Sequence, residues 1–283
     1  MRRNKVDYIN SIEKAYNYIK DRIPYAPDIG IVLGTGLGSL AECITEPIYI
    51  DYKDIPAFPV STVSGHAGRL IYGDLEGKKV LAMQGRFHYY EGYGMKEVTL
   101  PIRVMSKLGI KILIISNACG GLNEEFNAGD IMLIEDHINF IGDSPLIGAN
   151  LEEFGPRFPD MTDVYSKELL KLCQDVANKA DIKVQKGVYC AISGPNYNTK
   201  AELRMLIKIG ANAVGMSTVP EATVAKHSGI KVLGLSCITD MALPDSLAPL
   251  SHEEVVRVAE QAKPKFVTLV RNFIKEVGLH ESL

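Results

Sequence analysis

Ile110-Lys111-Ile112-Leu113-Ile114-Ile115-Ser116-Asn117-Ala118-Cys119-Gly120-Gly121-Leu122 is the stretch that decides how the chain folds. Its first six residues are apolar except for one lysine, which fits a central strand buried on both faces. The second half changes to small residues. At the end of a buried strand these let backbone amides face a ligand, as expected at the carboxyl edge of an α/β sheet. Cys119 offers a nucleophile on paper, but a small buried thiol is the reading taken.

Outward from this strand, helical and strand patterns alternate. Tyr8 to Ile19 carries Ile9, Ile12, Ala15, Tyr16 and Ile19 at helical spacing, and Pro24 ends that helix. Asp28 to Leu33 is an apolar strand running into Gly34-Thr35-Gly36-Leu37-Gly38-Ser39 and helix-like Leu40-Ala41-Glu42. A strand, glycines with a hydroxyl and a helix start describe an anion cradle of backbone N–H groups. The spacing matches neither G-x-G-x-x-G nor a loop ending in Gly-Lys-Ser/Thr, which argues against a nicotinamide or nucleoside triphosphate ligand. Ser61 to Leu70 is a loop of small polar residues with His66 between glycines, and it feeds a hairpin made of Leu70–Leu75 and the run Lys79–Met83. Met95 to Leu108 has helical periodicity, and Asp130 to Ile134 is a further strand. The turn-rich segment from His137 to Asp163, with Phe154 and Phe158, is long enough to suggest a functional or interfacial role. Beyond it lie a helix over Ser166–Ala180, a strand over Gly187–Ile192 and a capping box at Thr199 and Glu202. A short strand at Ala213 breaks at Ser217 and Thr218 before a helix with Pro220 near its start. Lys231 to Thr239 is a strand ending in Asp240; Ser251 to Glu254 is a second capping box, opening a helix that Pro264 should kink or interrupt. There is no internal repeat, low-complexity run or linker. The expectation is an α/β fold: a single domain over residues 1–283 with a central, mixed, largely buried β-sheet flanked by helices. Its ends would be an N-terminal helical segment over about residues 1–24 and a C-terminal helix over 251–283.

The chemistry concentrates in Met83-Gln84-Gly85-Arg86-Phe87-His88-Tyr89-Tyr90-Glu91-Gly92-Tyr93. Arg86 and His88 stand two apart, so in an extended segment both point to one side. A permanently charged fork beside a titratable donor suits a phosphate-like anion. Tyr90, Glu91 and Tyr93 add hydroxyl and carboxylate groups suited to a sugar.

The totals restrict the class. A formal charge of −3 argues against a nucleic-acid partner held by bulk charge. No apolar run approaches the roughly 18 to 20 residues of a membrane span, and the stretch after basic Met1–Lys5 is no signal-peptide core. Five scattered cysteines without a C-x-x-C pair suggest reduced thiols in a cytoplasm, with no structural zinc.

Five motifs occur in order: Gly34-Thr35-Gly36-Leu37-Gly38, Gly65-His66-Ala67-Gly68-Arg69, Gln84-Gly85-Arg86-Phe87-His88 with Tyr90-Glu91-Gly92-Tyr93, Asn117-Ala118-Cys119-Gly120-Gly121, and Gly215-Met216-Ser217-Thr218-Val219-Pro220-Glu221. Together they resemble the trimeric class of purine nucleoside phosphorylases, in the nucleoside phosphorylase family that also contains methylthioadenosine phosphorylase. The resemblance runs from about Ile31 to His252. It implies a homotrimer and a purine-salvage transferase that phosphorolyses purine (2′-deoxy)ribonucleosides reversibly. The products would be free base and α-(deoxy)ribose 1-phosphate, with inorganic phosphate as co-substrate and neither cofactor nor metal. Carried over, the phosphate site is Thr35, His66, Arg86, His88, the backbone N–H of Ala118, and Ser217. The ribose is held by Tyr90, by Met216 as an apolar contact, by His252 at the 5′-hydroxyl, and by Phe158 from the neighbouring subunit. Glu91 orients the phosphate-site histidine. Tyr197, Asn198, Val214 and Asp240 hold the base, and the residues placed closest to the chemistry are Arg86, His88, Asn198 and Asp240.

At the base the chain departs from the pattern for 6-oxopurines, which has glutamate where Asn198 stands and asparagine where Asp240 stands. Hypoxanthine and guanine present an N1–H donor and an O6 acceptor; adenine presents an N1 acceptor and a 6-amino donor. Asn198 can donate to N1 and Asp240 can accept from the 6-amino group. The expectation is acceptance of adenosine with a free 5′-hydroxyl, alongside residual inosine activity. The alternatives are a phosphorylase restricted to inosine and guanosine, or a methylthioadenosine phosphorylase, against which His252 argues. From other classes come a non-catalytic nucleoside-binding protein, a nucleosidase using water, and a metallohydrolase built on His66, His88 and His137, whose spacings suit no standard ligand set.

Overall fold

The computed structural model describes residues 2–62, 67–245 and 251–279. Along the chain the elements are α1 (Arg2–Lys20), β1 (Ile29–Leu33), β2 (Thr45–Asp51), β3 (Arg69–Leu75), β4 (Lys78–Gln84), α2 (Met95–Val98), α3 (Leu100–Lys107), β5 (Ile112–Gly121) and β6 (Ile131–Phe140). There follow α4 (Lys167–Lys179), β7 (Val184–Ile192), α5 (Lys200–Lys208), β8 (Ala213–Gly215), α6 (Val219–His227), β9 (Lys231–Met241) and α7 (His252–Glu276).

The unbroken apolar run of β5 has a direct cause. Leu113 and Ile115 pack into a core shared with α1, α3 and α6, while Ile112 and Ile114 pack into a second core under α4 and α7. Neither face of the strand meets water, so alternation disappears. A third, smaller cluster lies under α5, around Leu203 and Leu206.

The nine strands form one mixed sheet in the order β2-β3-β4-β1-β5-β8-β7-β6-β9. β9 also pairs with β5, from Ile112 with Lys231 to Gly121 with Met241, so the last five strands close into a ring. That closure removes the edge β9 would otherwise present. Strands β4, β1, β5 and β9 are mutually parallel, so their carboxyl ends gather at one rim. β5 also changes neighbour along its length. Ile112 to Ile115 pair with β1, but Gly120 and Gly121 pair with β8. Between these two pairings, at Ser116 to Cys119, one flank of the strand is open.

β3 and β4 form the expected hairpin, and Glu76 and Gly77 both have positive φ (54° and 77°), as a tight two-residue hairpin turn requires. Several local expectations need correction. Leu40 to Glu42 belongs to a short 3₁₀ segment, Gly38–Cys43, and so presents no α-helical N-terminus. The helix read over Met95–Leu108 is two helices meeting at Thr99, beside Pro101. The segment read as a loop from His137 is strand as far as Phe140. Pro264 does not interrupt α7: the ring sits on the exposed side, while Ala262, Phe266, Leu269 and Phe273 are buried on the other, and packing outweighs the lost hydrogen bond. No described helix is long and apolar enough to cross a membrane.

Candidate active site

The open flank of β5 is the wall of a cavity of about 590 Å³, lined by residues from β5, β9 and the segments after β1, β4 and β8. That volume is ample for a nucleoside with an anion beside it.

Its most strongly charged lining comes from the chain after β4. Phe87 packs among Tyr52, Phe58 and Tyr93, with ring centroids 5.0, 6.3 and 6.2 Å away. Alternation along the extended chain then turns Arg86 and His88 to the cavity. Arg86 is 1% exposed and heavily constrained. Its Nε donates to Glu221 Oε1 at 2.9 Å, and one terminal nitrogen donates to the Ser116 carbonyl at 2.8 Å and Ser217 Oγ at 3.1 Å. The guanidinium is thereby held between β5 and the start of α6. Ser116 in turn braces β1, accepting from Gly34 N–H and donating to the Val32 carbonyl.

His88 is held by Glu91. One carboxylate oxygen accepts from the His88 backbone N–H at 2.8 Å and meets His88 Nδ1 at 3.1 Å; the other accepts from the Thr62 N–H and hydroxyl at 2.8 and 2.6 Å. Burial alone would raise the Glu91 pKa, but these bonds from His88 and Thr62 bring it down to about 2. An ionised carboxylate can only accept, so His88 carries its proton on Nδ1. Burial lowers the His88 pKa, the Glu91 bond opposing, which favours the neutral ring. That ring stacks on Tyr90, with centroids 4.7 Å apart and planes 14° from parallel. Burial pushes the Tyr90 phenol up to about 12, so it stays protonated.

Thr35, Ala118 and Ser217, the last bonded to Arg86, also line the cavity. Ser217 precedes Thr218, a buried β-branched residue at φ 73°, ψ −52°. Such a conformation is strained and must be imposed by its surroundings. Here Asn117 Nδ2 donates to Thr218 Oγ1 at 2.8 Å, tying the turn to the open part of β5.

Tyr90, Met216, His252, Tyr197, Asn198, Val214 and Asp240 also line the cavity, with Ile192, Leu203 and Ala242 as apolar wall. Asp240 Oδ1 lies 3.0 Å from the Thr239 hydroxyl, which also reaches the Cys119 carbonyl at 3.2 Å. Burial raises the Asp240 pKa, and the Thr239 bond only partly offsets it. Cys119 also lines the cavity, but burial raises its pKa well above the ordinary thiol value, so it is no ready nucleophile.

Two sequence-derived candidates stand apart. His66 lies outside the described residues. Phe158 is 88% exposed and does not line this chain's cavity. His137 is also remote, on β6, with Nδ1 3.1 Å from the Tyr165 hydroxyl; among the described residues, no three His, Cys, Asp or Glu side chains group as metal ligands. Sequence reasoning missed the partners that shape the site, namely Ser116, Asn117, Thr218 and Glu221. Glu221 stood in a quoted motif but reads, near a helix start, as an ordinary dipole-compensating carboxylate.

This arrangement has known counterparts. Residues 28–275 match the family model described as the Phosphorylase superfamily. "Purine nucleoside phosphorylase 1" of Bacillus subtilis (strain 168) is 54% identical over 265 residues, covering 94% of this chain and 98% of its own length. The crystal structure of isoform 2 of purine nucleoside phosphorylase from Schistosoma mansoni, in complex with cytosine and ribose-1-phosphate, superposes with TM-score 0.92 at 43% identity. It covers 96% of this chain and 98% of its own. A Schistosoma mansoni purine nucleoside phosphorylase in complex with adenosine gives TM-score 0.91 at 41% identity, covering 95% and 98%. The chain belongs to the phosphorylase superfamily and, within it, to the purine nucleoside phosphorylases.

Proposed function

We infer that the chain catalyses reversible phosphorolysis of purine nucleosides, the activity its relatives' names carry, and that adenosine is among its preferred substrates. The observation that supports the reading most is that one cavity is lined both by Arg86, His88, Thr35 and Ser217, taken as its phosphate end, and by Asn198 and Asp240, taken as its base end. Phosphate held at the first end would attack C1′ of the ribose from the face opposite the base. The C1′–N glycosidic bond breaks, its electron pair leaves with the purine, and a C1′–O–P bond forms. As that bond stretches, positive charge grows on the sugar next to the phosphate and negative charge grows on the base. Prearranged groups at both ends then bind the transition state more tightly than the substrate. The Arg86 fork, locked by Glu221, Ser116 and Ser217, needs no reorganisation to receive the anion.

At the base, Asn198 donates to adenine N1 and Asp240 accepts from the 6-amino group. His252, facing the cavity, would meet a 5′-hydroxyl rather than a methylthio group. Inorganic phosphate is the co-substrate, and the reading calls for no resident cofactor. The working unit is a homotrimer in which Phe158 covers the sugar of a neighbouring subunit; its exposure, with that of Phe140 and Ile147 on the same part of the chain, supports a covering partner. Five free cysteines are consistent with a cytoplasmic salvage enzyme. The test is strict phosphate dependence: base and ribose 1-phosphate should appear in equal amounts, and turnover without phosphate would replace phosphorolysis with hydrolysis.

A further inference from the structure

α6 joins two places that the mechanism treats separately. At its first turn, Glu221 holds Arg86. At its last turn, Lys226 and His227 hold the segment that carries Phe158, one on each side. Lys226 Nζ donates to the Asp163 carbonyl at 2.7 Å. His227 is 3% exposed, with Nε2 3.1 Å from the Pro156 carbonyl and 3.3 Å from Asn150 Oδ1. Its other nitrogen, Nδ1, lies 2.9 Å from a terminal nitrogen of Arg103, which is also 3% exposed.

This geometry assigns the histidine's proton. Arginine can only donate, so Nδ1 must accept, and Nε2 carries the hydrogen that binds Pro156 and Asn150. Burial, and then the Arg103 charge, lower the His227 pKa and favour this neutral ring. Arg103 also lies over the ring of Phe154, 5.0 Å from its centroid. Gly155 fits between these groups because it has no side chain: a Cβ there would stand 2.0 Å from the His227 carbonyl oxygen. Asn150 closes the arrangement by donating to the Gly155 carbonyl at 3.0 Å. The segment before Phe158 is thus fitted to the end of α6 by hydrogen bonds and by shape.

We propose that His227, its tautomer set by Arg103, is a positioning residue that places Phe158 for the neighbouring subunit's sugar. The proposal rests on the reading of Phe158 as a cover for that sugar. The test compares Phe158→Ala, His227→Phe, Gly155→Ala and His227→Gln in steady-state phosphorolysis of adenosine. His227→Phe keeps the ring and removes both nitrogens; Gly155→Ala drives a Cβ against the His227 carbonyl, disturbing the fit with both ring nitrogens retained, and stands in should His227→Phe fail to fold. Both should raise the nucleoside KM by about tenfold, as Phe158→Ala does, with the phosphate KM changed by less than about twofold. His227→Gln, whose amide can accept from Arg103 and donate to Pro156, should recover much of the loss. A role in stability alone would lower the melting temperature and the active fraction while leaving KM unchanged. If Phe158→Ala raises the nucleoside KM and neither His227→Phe nor Gly155→Ala does, the proposal is wrong and the cover stands. If Phe158→Ala changes nothing, the cover and the proposal fall together, while phosphate-dependent turnover of the unaltered enzyme separately decides the reaction.

Discussion

Arg86 and Glu221 form a buried ion pair whose halves come from positions 135 residues apart. Removing one partner of such a pair costs about 3–5 kcal/mol, since the other charge is left uncompensated. Arg86→Ala should therefore lower the melting temperature and reduce phosphorolysis by about 10² or more. The double change Arg86→Met with Glu221→Leu should regain stability but not activity; near-normal turnover in either variant would remove Arg86 from the phosphate site. At the other end of the cavity, Asn198→Glu with Asp240→Asn should move the adenosine-to-inosine rate ratio toward inosine by about 10² or more, because mismatched buried polar groups discriminate strongly. Asp240→Asn alone carries a stability prediction. A carboxyl whose folded pKa is raised is without penalty below its unfolded pKa, and the penalty grows as pH rises through the folded value. At neutral pH the amide should thus melt higher, by about 2–4 °C per kcal/mol relieved, while adenosine turnover falls. An unchanged melting temperature would contradict the burial of that charge. Asn198 and Asp240 came only from the family resemblance, whereas Arg86 and His88 were legible as a pair facing the cavity because their spacing and chemistry mark them within one short segment. Glu221 was not, because its role depends on a partner far away in sequence.

Among the elements, β5 was readable from its continuous apolar run, and its small-residue end does lie against the cavity. What the pattern could not show is that β5 exchanges β1 for β8 partway along, which opens the site. β2 passed unread: it is an edge strand, mostly exposed, whose register shifts around Pro47, so it lacks alternation. The glycine loop after β1 was legible as a close approach, though not for the reason first given. Gly36 has φ 74°, and a Cβ there would lie 2.4 Å from Ala259 Cβ on α7. The loop is shaped by a helix packed against it more than by a helix that follows it. Gly36→Ala should destabilise the protein by about 1–3 kcal/mol through backbone strain, with a further cost as α7 shifts. It should also weaken phosphate binding by moving Thr35. Denaturant unfolding and the phosphate KM check the two effects, and a variant normal in both would separate α7 from the site.

For the whole molecule, strand and helix alternation pointed to an α/β domain, but ring closure through β5 and β9 is a non-local pairing that leaves no mark on either strand's pattern. The parallel pairing of β4, β1, β5 and β9 gathers their carboxyl ends at one rim, and residues at or just after those ends line one cavity. The most direct measurement is the initial rate with adenosine, inosine, guanosine and methylthioadenosine, each with and without phosphate. Adenosine should be fastest, only in the presence of phosphate, with methylthioadenosine poor. A faster rate with inosine would leave phosphorolysis in place and overturn the roles given to Asn198 and Asp240; turnover independent of phosphate would contradict the function itself.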